Sequence, residues 1–204
     1  MHIRELNVPD SFEITPRQFP DDRGVFLEWY RFDELEKHVG HSINLRQANT
    51  SVSRKNVVRG IHFADFPVGQ AKYVTAMSGA VLDFVIDIRV GSPTFGQWDS
   101  VLLDSQDRRA VYIAEGLGHA FVALTDDATV SYLVSDVYNP TAEHGITPLD
   151  EQIGLVFPDG VQPLLSPKDL EAPTLAEAAD QGLLPTWQSA KDYYATLNAE
   201  GAAR

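Results

Sequence analysis

The chain has 204 residues, 44% hydrophobic and 22% charged, which suits one domain with a sizeable core and excludes a disordered chain. A net charge of −13 without any long Lys/Arg cluster excludes a nucleic-acid interface, and no apolar run approaches the length of a membrane span. No cysteine is present, which removes disulfides, thiolate metal sites and a cysteine nucleophile and fits a cytoplasmic protein.

The N-terminal "MHIRELNVPD" carries acidic residues and lacks the apolar stretch of a signal peptide. The next segment, "SFEITPRQFPDDRGVFLEWY", predicts two short strands around the turn "PDDRG". Period-2 alternation there puts Val25, Leu27 and Trp29 on one face and Phe26, Glu28 and Tyr30 on the other. "RFDELEKHVG" predicts a short helix capped by Asp33 and stopped by Gly40. "NLRQANTSVS" returns to strand character.

Seven further strand segments follow: "VVRGIHF", "AKYVTAM", "AVLDFVIDIRV", "WDSVLLD", "RAVYIA", "HAFVAL" and "ATVSYLVSDVY". Short turn sequences separate them, and helices do not, so the pattern is that of an antiparallel sandwich or barrel. After "YNPTAEHGITPLD" comes the Pro-rich loop "FPDGVQPLLSPKDLEAP". "TLAEAADQG" then predicts a helix with a capping box formed by Thr174 and Glu177, and "WQSAKDYYATLNAEG" a second, amphipathic helix. The layout is a single domain over 1–204, with a β core over about 10–160 and a C-terminal loop and helices over about 161–204.

Three polar residues stand in apolar places. Tyr132 alternates with Val130 and Val134, Lys72 shares a face with Val74 and Ala76, and His62 shares one with Val58 and Gly60. A tyrosine facing inward needs a partner for its hydroxyl. Taken singly, such residues are ordinary core or snorkelling side chains. Together they fit proton abstraction beside a carbonyl: a histidine base, a lysine to stabilise the enolate oxygen and a tyrosine to return a proton to the opposite face. In a chain this acidic an anionic ligand depends on a few local cations, of which Arg23, Arg59, Lys72 and Lys168 are the candidates.

Metal binding is the chemical rival. His62 has Gly60 and Ala64 at the positions where an H-x-H pair would need histidine, and only His119 stands as a second ligand. His2, His38 and His41 lie in terminal or helical surface contexts. The reading is therefore of a site without metal or cofactor.

The segments "DDRGVFLEWY", "RQANTSVS", "VVRGIHF", "GQAKYV", "LDFVIDIRVGSPTFGQW", "EGLGHAFVAL", "YNPTAEHGI" and "LLSPKDLEAP" resemble the dTDP-4-dehydrorhamnose 3,5-epimerases, RmlC-type cupins of deoxysugar biosynthesis. The resemblance runs to about residue 175. It implies an all-β, cupin-like jelly-roll sandwich with short C-terminal helices, a homodimer, no metal, and a dTDP-4-keto-6-deoxyhexose substrate whose C4 ketone acidifies the protons at C3 and C5. It implies His62 as the base, Asp169 as its paired carboxylate, Lys72 as the group facing the ketone and Tyr132 as the acid. Arg59 and Arg23 resemble phosphate-binding residues. Phe26, Glu28, Gln47, Asn49, His119, Glu143 and Lys168 match further substrate-binding positions, and Tyr138 the aromatic that stacks on thymine.

Two positions depart from the family pattern: Ala120 follows His119 where glycine is common, and Ala114 stands where proline is frequent. Such variants resemble epimerases of antibiotic-sugar pathways, some of which invert C3 or C5 alone. The expected reaction is inversion of both centres of dTDP-4-keto-6-deoxy-D-glucose, with a single-centre epimerase as the alternative. A metal-dependent cupin oxygenase and a non-catalytic nucleotide-sugar-binding module are the remaining readings.

Overall fold

Alternating side chains with a turn every few residues produce thirteen strands among the described residues, all paired antiparallel. The computed structural model describes the backbone of residues 1–202 and the side chains of residues 1–199. The strands are β1 (His2–Glu5), β2 (Ser11–Thr15), β3 (Gln18–Asp21), β4 (Gly24–Leu27), β5 (Gln47–Ser53), β6 (Val58–Ala64), β7 (Lys72–Ser78), β8 (Ala80–Ile86), β9 (Trp98–Asp104), β10 (Ala110–Ile113), β11 (Gly118–Ala123), β12 (Ala128–Val134) and β13 (Glu143–Gly145). Four helices accompany them: α1 (Phe32–Val39), α2 (Pro167–Leu170), α3 (Leu175–Asp180) and α4 (Trp187–Ala202).

A six-stranded sheet of order β1-β2-β10-β7-β12-β5 faces a five-stranded sheet of order β13-β6-β11-β8-β9. Register fixes the inner faces. Val74 lies opposite Tyr132 and Ala76 opposite Val130 in the first sheet; Val81 lies opposite Ala123 and Val85 opposite His119 in the second. Val81, Val85, Val101, Leu103 and Phe121 meet Val74, Ala76, Val111 and Val130 in one buried cluster. The outer face of the larger sheet is covered by aromatics: Tyr73 packs on Trp29 and Tyr30, and Phe12 on His38 of α1. The outer face of the smaller sheet, with Ile61, Phe63, Phe84 and Val122, is closed by Ile146, Ile153, Leu175 and Ala178.

The jelly-roll expectation holds, with local differences. Strands begin at His2, earlier than expected, and the C-terminal loop holds α2. Arg31, not Asp33, occupies the N-cap position of α1 and makes no side-chain cap; Asp33 instead binds the Arg31 guanidinium at 2.9 and 3.1 Å. Gly40 ends the helix at φ 91° as expected. The Thr174–Glu177 capping box is present in α3. α4 is amphipathic, with Ala190 buried, Trp187 and Tyr194 half-buried, and Lys191 and Asp192 exposed. His41 is buried rather than on the surface.

Candidate active site

A cavity of about 620 Å³ opens between the sheets, lined by Gln47, Asn49, Lys72 and Tyr132 from the larger sheet and by Arg59, His62 and Glu143 from the smaller. Tyr138 and Lys168 stand at it from loop and helix, and α2 closes one side with Asp169. Lys72 and Tyr132 share the inner face, as alternation predicts: Val134 pairs with Lys72, and Tyr132 with Val74 and Asn49.

The expectation for His62 needs correction. Strict alternation puts it beside Val58 and Gly60, but the β6–β11 register slips between His119 and Phe121, so Arg59 pairs with Phe121 and His62 with His119. The extra residue is a β-bulge, which shifts the phase of every residue beyond it. Val58, Ile61 and Phe63 face the outer cluster, while Arg59 and His62 line the cavity together. Gly60 makes this possible with φ at +117°, and a Cβ there would lie 2.4 Å from the His119 carbonyl oxygen.

His62 Nε2 lies 2.6 Å from Asp169 Oδ1. The sequence Ser-Pro-Lys-Asp explains the reach. Ser166 caps α2, accepting from the Asp169 backbone N–H at 3.1 Å, and its hydroxyl donates to Asp169 Oδ2 at 2.8 Å. Burial pushes the Asp169 carboxyl up, but hydrogen bonds from His62 and Ser166 outweigh it and hold the group below its ordinary value. An ionised carboxylate only accepts, so Nε2 carries the proton and Nδ1 is the basic nitrogen.

Burial keeps the Tyr132 hydroxyl above its usual range; Arg59 opposes this and Glu143 adds to it. Burial pushes the Lys72 ammonium down, against Glu143 and Asp83, which raise it. Neither the Tyr132 hydroxyl nor the Lys72 ammonium makes a side-chain hydrogen bond among the described residues. Arg59 Nε donates to Ser53 Oγ at 3.1 Å, and the Tyr138 backbone N–H to Gln47 Oε1 at 2.9 Å.

Not every expected residue meets here. Arg23, Phe26 and Glu28 sit on or beside the separate β3–β4 hairpin and do not line the cavity. His119 is buried behind the lining, bonded through Nε2 to Asp83 Oδ2 at 2.7 Å. Sequence reasoning missed His144, Arg54 and Gln70, which line the cavity. His144 lies on β13 with Nε2 2.6 Å from Asp65 Oδ1. Ser166 was legible as a cap before Pro-Lys-Asp. Among the described residues, no three His, Asp or Glu side chains group as metal ligands.

A jelly-roll sandwich with a His–Asp pair, a lysine and a tyrosine around one cavity has the make-up of the RmlC-like epimerase class. The family model described as dTDP-4-dehydrorhamnose 3,5-epimerase matches residues 5–177. A "dTDP-4-dehydrorhamnose 3-epimerase" of Streptomyces niveus is 54% identical over 187 residues, 92% of this chain and 90% of that one. A "dTDP-4-dehydrorhamnose 3,5-epimerase" of Mycolicibacterium smegmatis is 52% identical over 197 residues, 97% of each. A double mutant of ChmJ, a 3′-monoepimerase from Streptomyces bikiniensis solved in complex with dTDP, superposes with a TM-score of 0.94 at 42% identity, covering 98% of this chain and 100% of that one. The chain belongs to the dTDP-4-dehydrorhamnose 3,5-epimerase family.

Proposed function

We propose that the chain inverts C3 and C5 of dTDP-4-keto-6-deoxy-D-glucose, giving dTDP-4-keto-L-rhamnose. The observation that carries this reading is the opposition of His62 and Tyr132 across one cavity, on different sheets. His62 Nδ1 takes the proton from the carbon next to the ketone, and Asp169 stabilises the imidazolium. Negative charge moves to O4, where the Lys72 ammonium meets it. Tyr132 returns a proton from the opposite face, which inverts the centre. Arg59 and Lys168 bind the diphosphate, Gln47, Asn49 and Glu143 the sugar and nucleoside, and Tyr138 stacks on thymine.

Arg23, Phe26 and Glu28 join the site through a homodimer. The β3–β4 hairpin stands apart from both sheets with Phe19 43% and Phe26 68% exposed, and these two rings lie 6.4 Å apart. An apolar, cation-bearing arm of this kind fits insertion into a second copy's cavity. The cysteine-free sequence supports a cytoplasmic location.

A single-centre 3-epimerase is the second reading, favoured by the 54% identity to the Streptomyces niveus protein. The test is NMR determination of product configuration at C3 and C5 after incubation with dTDP-4-keto-6-deoxy-D-glucose. Inversion at both supports the first reading, inversion at C3 alone the second, and unchanged substrate neither.

A further inference from the structure

Arg54 stands in the turn between β5 and β6 and lines the cavity, yet none of the roles given above falls to it. The residue is exposed, and its guanidinium makes no hydrogen bond or ion pair among the described residues. The chain has 29 acidic residues, and Arg4, Arg23, Arg31, Arg89 and Arg109 each pair with one; Arg54 does not. One exposed arginine in a turn is ordinarily a solvated surface charge. Its position in the wall of the cavity argues for more.

The turn is pinned to the loop that precedes α2. The Val58 N–H donates to the Leu164 carbonyl oxygen at 3.0 Å, and the Leu164 N–H to the Asn56 carbonyl oxygen at 2.8 Å. The two segments form one wall, on which the cations Arg54, Arg59 and Lys168 line the cavity beside the apolar Val57 and Leu164. Only Nε of the Arg59 guanidinium is engaged, with Ser53 Oγ at 3.1 Å. The two carboxylates of the cavity do not compete for Arg54. Asp169 is taken by His62 and Ser166, and Glu143 pairs with Ala64 at the other end of β6. Positive charge gathered on an apolar wall, in a protein of net charge −13, makes a local site for an anion.

We propose that Arg54 is a substrate-binding residue that, with Arg59 and Lys168, holds the diphosphate of the nucleotide-sugar. A diphosphate offers more acceptor sites than one guanidinium fork can fill. The inference rests on the dTDP-sugar reading of the cavity.

The test is the binding of dTDP, by calorimetry, and of thymidine, by NMR titration, to wild type, Arg54→Ala and Arg54→Lys. The turn is held by backbone bonds and by Asp126 Oδ1, which accepts from the Lys55 N–H at 3.1 Å, so the variants should fold. In Arg54→Ala the Kd for dTDP should rise about fivefold, the scale of one exposed ion pair, while thymidine binds as before. Arg54→Lys should lose less, because it keeps the charge without the fork. Added salt should weaken dTDP binding less steeply in Arg54→Ala than in wild type. Unchanged dTDP affinity in Arg54→Ala overturns the proposal and leaves a solvated surface arginine. An equal loss for dTDP and thymidine also overturns it and puts Arg54 against the nucleoside. A wild type that binds no dTDP overturns the dTDP-sugar reading and this proposal with it, whereas the other two failures leave that reading standing.

Discussion

His62 Nε2 and Asp169 Oδ1 lie 2.6 Å apart although 107 residues separate them in sequence. The contact joins β6, next to the edge of the smaller sheet, to a one-turn helix in the C-terminal segment. It sets the tautomer of His62, with the proton on Nε2, and leaves Nδ1 as the nitrogen for the proposed proton abstraction. Asp169→Asn keeps the shape but removes the charge that stabilises the imidazolium. We expect kcat to fall by about 10²-fold or more, within the range of general acid–base catalysis, with KM changed little. Steady-state kinetics checks this, and a loss confined to KM would contradict it.

The same carboxylate carries a pH signature. Its folded pKa is held below the unfolded value, so its contribution to stability is present above the unfolded pKa, near 4, and is lost as pH falls through the folded value. Thermal unfolding of wild type and Asp169→Asn across pH 2 to 7 should show wild type more stable at neutral pH. The difference should shrink as pH drops below about 4. A difference that grows on acidification would reverse the sign assigned to this group.

Gly60 holds the bulge that turns Arg59 and His62 to the same side. Alanine there meets two penalties: φ at +117°, and a Cβ 2.4 Å from the His119 carbonyl oxygen and 2.7 Å from the Ala120 Cα. Gly60→Ala should destabilise the protein by about 2–4 kcal/mol, measured by denaturant unfolding, and remove activity from what remains folded. Wild-type stability would show that the bulge tolerates a side chain.

The proposed dimer predicts complementation. Arg23, whose side chain is 90% exposed, would act in the partner's site, while His62 acts in its own. Inactive His62→Ala protein, refolded with an equal amount of Arg23→Ala at low substrate, should recover about a quarter of wild-type activity, because half the dimers then hold one intact site. Activity equal to the mean of the two stocks would place Arg23 outside the partner's cavity.

Much of this was readable in the sequence, for a physical reason. Side chains of a strand alternate, so Tyr132 with Val130 and Val134, and Lys72 with Val74 and Ala76, were assigned to one face without reference to partners. The same rule failed for His62, because a bulge adds one residue and inverts the phase, and nothing in "VVRGIHF" except its glycine signals it. His144 escaped because β13 is three residues long and polar, too short for any periodicity. Residue type alone makes Asp33 a cap candidate. The helix begins at Phe32, so Asp33 lies one residue inside it rather than at the cap, and its carboxylate pairs with the Arg31 guanidinium. The pairing of Asp169 with His62 came from family resemblance, since no local rule joins residues so far apart.

The most direct test of the central claim follows deuterium at C3 and C5 of dTDP-4-keto-6-deoxy-D-glucose incubated in D₂O with wild type, His62→Ala and Tyr132→Phe. The account predicts exchange at both carbons with wild type and none with His62→Ala. With Tyr132→Phe it predicts exchange that outruns inversion, because the base still works while the opposite-face acid is missing. Exchange by His62→Ala at the wild-type rate would contradict it, and would take the proton abstraction away from His62.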